Sequence, residues 1–99
     1  MESFNDIISS ETPVLVDCHA AWCAPCKTMH PVLEQLKAIM GDKLRIIKID
    51  IDRNSSFAYK YNVQSVPTLI LFKDGKCLWR KSGAIPLNVL TNQILAYIP

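Results

Sequence analysis

The chain has little glycine, no large surplus of either charge and no long apolar run. Eleven Lys and Arg against nine Asp and Glu leave a net charge of +2, too weak and too scattered for a nucleic-acid surface. No stretch approaches the roughly 20 apolar residues of a membrane span. Three glycines beside six prolines exclude collagen-like and low-complexity character. Four cysteines are sparse for a secreted disulfide scaffold, and a chain that is 49% hydrophobic can build a core without staples. Cys18, Cys23, Cys26 and Cys77 therefore point to chemistry or metal before architecture. Glu2, Asp6 and Glu11 come early and the first Lys or Arg is Lys27, the reverse of a signal peptide, so a cytoplasmic protein is expected.

A length of 99 residues suits one domain, residues 1–99. Ser3 is positioned to cap a short helix over 3–10 that Pro13 ends. Val14–Val16 forms a strand running into Asp17 and Cys18. Met29, Val32, Leu33, Leu36 and Met40 fall at helical spacing from about Cys23 to Met40, with Pro31 inside and Gly41 as the stop. Leu44–Ile51 reads as a strand with isoleucines on both faces, the pattern of a central strand covered by helices. A short helix over 54–61 and a loop over 63–67 follow. The strand Thr68–Phe72 then turns back through Asp74-Gly75 onto Lys76–Ser82. Leu87, Leu90, Ile94 and Ile98 mark a last helix. The order predicts an α/β fold: a mixed four-stranded sheet of two parallel strands plus a C-terminal antiparallel hairpin, flanked by about four helices.

Trp22-Cys23-Ala24-Pro25-Cys26-Lys27 lies at a strand-to-helix junction. With Cys23 at the start of the helix, Cys26 comes nearly one turn later, close enough for a disulfide. The helix N-terminus favours thiolate at Cys23, while Cys26 is expected to point inward and be less exposed. The pair thus divides into an attacking and a resolving thiol.

The run Val14–Lys27, Pro31, Lys48-Ile49-Asp50, Val66-Pro67-Thr68, Phe72–Gly75 and Gly83-Ala84 resembles thioredoxin over nearly the whole chain. The resemblance implies a thiol–disulfide oxidoreductase that reduces protein disulfides through Cys23 and Cys26. It implies no bound cofactor and re-reduction by an NADPH-driven thioredoxin reductase. It further implies a buried carboxylate, Asp17, that moves the proton of the resolving thiol. Lys48, which interrupts the isoleucine strand, is its expected partner. A cis Val66–Pro67 bond is implied, with Trp22, Ala24, Pro25, Val66, Pro67, Gly83 and Ala84 forming a flat apolar surface for extended protein substrates.

The sequence departs from the family pattern in several places. Ala24 replaces a usual Gly, and Cys18-His19 replaces Phe-Trp. The family's first strand is missing, which would leave an edge on Leu44–Ile51 for the N-terminal helix or a partner to cover. His19 reads as a surface replacement, and Cys18 and Cys77 as buried small hydrophobes. Two other functions fit parts of the pattern: a zinc module on His19, Cys23, Cys26 and His30, and a non-catalytic interaction domain of the same fold. A Pro rather than a His before Cys26 resembles the reducing members of the family.

Overall fold

The Ser3 hydroxyl accepts the Asp6 N–H while the Asp6 carboxylate accepts the Ser3 N–H, a reciprocal cap that starts α1 (Phe4–Ile8). The structure, a computed structural model, describes residues 2–98. After α1 come β1 (Val14–His19), α2 (Ala24–Met40), a single 3-10 turn at Gly41–Lys43, and β2 (Arg45–Asp50). They are followed by α3 (Ser55–Lys60), β3 (Thr68–Lys73), β4 (Lys76–Ser82) and α4 (Leu87–Leu95). The turn between β3 and β4 has Asp74 and Gly75 at φ +53° and +79°, the left-handed pair that a tight hairpin requires. Gly41 ends α2 at φ +56°. The last helix stops at Leu95, earlier than its sequence pattern, yet Ile98 is still buried beyond it.

Among the described residues the sheet has four strands in the order β2-β1-β3-β4. β1 and β2 are parallel, and the other two pairings are antiparallel. Strand alternation sorts the side chains onto two faces. Leu15, Leu69 and Leu71 pack with Met29, Leu33 and Leu36 of α2 and Leu90 and Ile94 of α4. Val14, Val16, Cys18, Ile70 and Phe72 pack on the opposite face with residues of α1 and α3. An aromatic cluster anchors that second layer: the Phe4 ring lies 4.8 Å from Phe57, 5.8 Å from Tyr61 and 5.9 Å from Phe72.

Two expectations are corrected here. The isoleucine strand is not the covered central strand its composition suggests but lies at the sheet edge, as the missing first strand implied, and its isoleucines are only half-buried because, among the described residues, no strand covers the outer side. α1 packs on one sheet face, in the same cluster as Ile47 and Ile49 of β2, and forms no strand along the edge. Its Phe4 is drawn onto the aromatic cluster instead, and the only ion pair among the described residues, Glu2–Arg45 at 3.0 Å, links the N-terminal segment to β2. Charged Arg45 and Lys48 blunt the edge against adding further strands.

Candidate active site

Cys23 is the N-cap of α2, with Ala24 and Pro25 in the first turn. Proline suits this position because its missing N–H would have no helical partner. Cys23 and Cys26 are joined by a disulfide, their Cα atoms 5.3 Å apart. The Cys23 Sγ also accepts the Cys26 N–H at 3.1 Å, so the sulfur occupies the site where a capping oxygen would sit. The expected difference in exposure is absent. Cys23 is as buried as Cys26, because Ala20, Ile51 and Val66 pack around the bonded pair.

The other site residues converge from separate elements. The Val66–Pro67 peptide bond is cis, and the Pro67 carbonyl accepts the Gly83 N–H at 2.8 Å, tying the β3 approach to the loop after β4. Gly83 adopts φ +92°, a conformation that strains any side-chain-bearing residue. Ala24, Pro25, Gly83 and Ala84 are exposed, Val66 is half-buried and Pro67 is buried. Trp22 is 71% exposed, a large apolar ring held open beside the disulfide. Its indole N–H donates to the Asp52 carboxylate at 2.9 Å. The Asp50 carboxylate in turn accepts the Asp52 and Arg53 N–H groups, fixing that turn. Asp52 is a site residue that sequence reasoning missed. It lies thirty positions from Trp22 and carries no local signal of the contact.

Behind the disulfide, parity decides which residues meet. Asp17 and His19 lie on the β1 face that Leu15 shares with α2, and so does Lys48 beside Ile46 on β2. Asp17, His19, Cys26, Lys27, His30 and Lys48 line one cavity of about 290 Å³. Asp17 is 3% exposed, and its Oδ1 has no hydrogen-bond partner. Burial pushes its carboxyl above the usual carboxylate range, while His19, Lys48 and His30 each offset part of that rise.

Lys48 is not the contact partner that the sequence suggested. It stands opposite Asp17 in the strand register, but its ammonium approaches the His30 ring nitrogens at 2.6 and 2.8 Å. His19 is not a surface replacement, since it lines the cavity. Cys18 faces the opposite layer and is fully buried, with its thiol pushed up to about 12 by burial and by Asp17. Cys77, expected to be buried, is exposed on edge strand β4 near the bulge opposite Leu71 and Phe72.

The zinc alternative finds no support. Its two sulfurs are bonded to each other, and no group of three or more metal-ligating side chains is assembled among the described residues. No helix among them is long and apolar enough to cross a membrane.

The thioredoxin family profile matches residues 1–96. Over 82 residues the chain is 50% identical to thioredoxin of Bacillus subtilis, covering 83% of this chain and 79% of that protein. It is 44% identical over 93 residues to the chloroplastic thioredoxin Y of Oryza sativa subsp. japonica, covering 93% of this chain. It spans only 55% of that rice protein's length. Among solved structures, the oxidized form of mitochondrial thioredoxin 3 from Saccharomyces cerevisiae superposes with a TM-score of 0.85 at 33% identity, covering 94% of this chain and 86% of that one. With its bonded cysteine pair at the head of α2, the chain belongs to the thioredoxin family.

Proposed function

We propose that the chain reduces disulfide bonds in other proteins, with Cys23 as nucleophile, Cys26 as resolving thiol and Asp17 as the base that frees Cys26. The observation that carries this reading is the bonded Cys23–Cys26 pair at the N-terminus of a 17-residue helix with a buried carboxyl behind it. In the reduced chain the helix N-terminus favours the Cys23 thiolate. That thiolate attacks one sulfur of a substrate disulfide. The substrate S–S bond breaks, and a mixed disulfide forms. Asp17 takes the Cys26 proton, and the Cys26 thiolate then attacks Cys23 Sγ. The second substrate sulfur leaves as a thiolate, so two electrons pass from the dithiol to the substrate.

Exposed Trp22, Ala24, Pro25, Gly83 and Ala84 with half-buried Val66 offer an apolar surface for an extended segment. An NADPH-driven thioredoxin reductase returns the two electrons. The reducing cytoplasm is the compartment that suits this direction.

The test is insulin reduction with dithiothreitol as electron source. The wild-type chain precipitates reduced insulin chains, Cys23→Ser does not, and Cys26→Ser accumulates a covalent adduct with its target. A wild-type chain that leaves insulin soluble, or a Cys26→Ser chain that turns over normally, would overturn the assignment.

A further inference from the structure

Asp17 is too buried to exchange protons with bulk water directly. It is 3% exposed, so a proton it takes from Cys26 can reach solvent only through the cavity it borders. The cavity supplies a route. Buried Asp17 and Cys26 stand on its inner wall, and exposed His30 and Lys48 stand at its mouth. Its walls are mostly apolar, but Asp17, His19, His30 and Lys48 place polar groups along it, and its volume of about 290 Å³ exceeds that of a water molecule.

Taking the reductase reading as given, we propose that His30, poised by Lys48, relays protons between Asp17 and solvent. The Lys48 ammonium lies 2.6 and 2.8 Å from the two His30 ring nitrogens, of which only the one without a hydrogen can accept from it. When the exposed lysine turns to solvent, the same lone pair is free to take a proton. Histidine is also the side chain whose ordinary titration falls between that of a carboxyl and bulk water at neutral pH. The charged and titratable groups around His30 are Asp17 and His19 from β1, Lys48 from β2, and Cys26 and Lys27 on α2, with Glu34 one turn further along its own helix.

In the mixed disulfide the Cys26 thiol gives its proton to the Asp17 carboxylate through the cavity. The Cys26 thiolate forms the new S–S bond to Cys23, the Cys23–substrate bond breaks, and the substrate thiolate leaves with that electron pair and is protonated by solvent. Asp17 passes its proton to His30, and the imidazolium loses it to water. His30 acts through Asp17 and touches no reacting sulfur, so it is a positioning residue for the proton rather than a catalytic one.

The test is single-turnover oxidation of the reduced chain by excess insulin, followed by the fluorescence of Trp22 beside the sulfurs from about pH 5 to 8. His30→Gln keeps a hydrogen-bonding group for Lys48 but cannot titrate. His30→Ala opens space for added imidazole. Both should slow the oxidation by on the order of tenfold, less than the 10²–10⁴ of a base acting directly, because Asp17 remains. The pH profile of both variants should differ in shape from that of the wild type, and dissolved imidazole should restore the Ala variant. A His30→Gln chain with wild-type rate and profile overturns the relay. So does slowing of the Ala variant that imidazole leaves unrelieved. A wild-type chain unable to reduce insulin would instead overturn the reductase reading itself.

Discussion

Removing the Asp17 carboxyl should make the protein more stable and less active. Asp17 is buried, its Oδ1 has no partner, and no cation lies within ion-pair distance of it among the described residues. An unsatisfied buried polar group costs about 1–3 kcal/mol, and more when charged. Asp17→Ala removes that cost. The deletion adds little cavity strain, since the carboxyl already borders open space rather than packed hydrocarbon. At neutral pH the oxidised variant should therefore gain about 1–3 kcal/mol, each ~1 kcal/mol raising Tm by roughly 4–8 °C for a domain of this length.

The gain carries a pH signature. The native carboxyl titrates above its ordinary value of 3.8, so between the two values the native state binds more protons than the unfolded chain. Wild-type stability then falls as pH rises through that window and stays low above it. The advantage of Asp17→Ala must be full above the raised native value and shrink on acidification toward 3.8. Urea titrations of both oxidised proteins at neutral and acid pH, read at equal m-values, measure it. The same substitution should slow insulin reduction by on the order of 10²-fold. A variant less stable than wild type at neutral pH, or an advantage that does not shrink in acid, would refute the reasoning.

Other perturbations probe separate parts of the molecule. Phe4→Ala opens the aromatic cluster beneath α1; because Phe4 is half-buried, the loss should be about 2–3 kcal/mol by chemical denaturation, below the cost at a fully buried site. Gly83→Ala meets no atom within 4 Å, so any loss comes from the positive φ alone, about 1–3 kcal/mol, and a neutral result in a melting experiment would remove the strain argument. Iodoacetamide should label exposed Cys77 in the folded oxidised protein and spare Cys18, whose thiol is buried and titrates near 12; peptide mass mapping that finds Cys18 modified first would contradict the packing.

Much of this arrangement was legible in the residues because each element carries several agreeing signals. Ser3 with Asp6 announces a helix start, Asp74-Gly75 announces a hairpin, and Met29, Leu33, Leu36 and Met40 mark the face that α2 buries. Legibility failed where a residue's fate depends on a neighbour distant in sequence. The isoleucines of β2 have the composition of a central strand, but their burial depends on whether a strand covers their outer side. Cys77 has the composition of a core residue, but an edge strand turns it to solvent. The Trp22–Asp52 hydrogen bond and the turn of Lys48 from Asp17 toward His30 are likewise tertiary, and no local pattern encodes them.

Alternation nonetheless carried more information about the site than motif matching alone. Asp17 and His19 differ by two positions and must share a face, and the parallel register of β1 with β2 puts Lys48 opposite Asp17. Leu15 names that face as the one α2 covers, and α2 carries Cys26 and His30 onto it four residues apart, about one helical turn. Cys18, one position off, is directed to the α1 and α3 layer and cannot join the dithiol without a slip of the whole strand. The same parity that excludes a third sulfur from the site brings two histidines and a lysine to the carboxyl behind it. His19, His30 and Lys48 therefore line one cavity with Asp17, and exchanging His19 for an uncharged residue that fills the cavity removes one of the groups that offset the rise at Asp17, which should shift the pH profile of reduction upward.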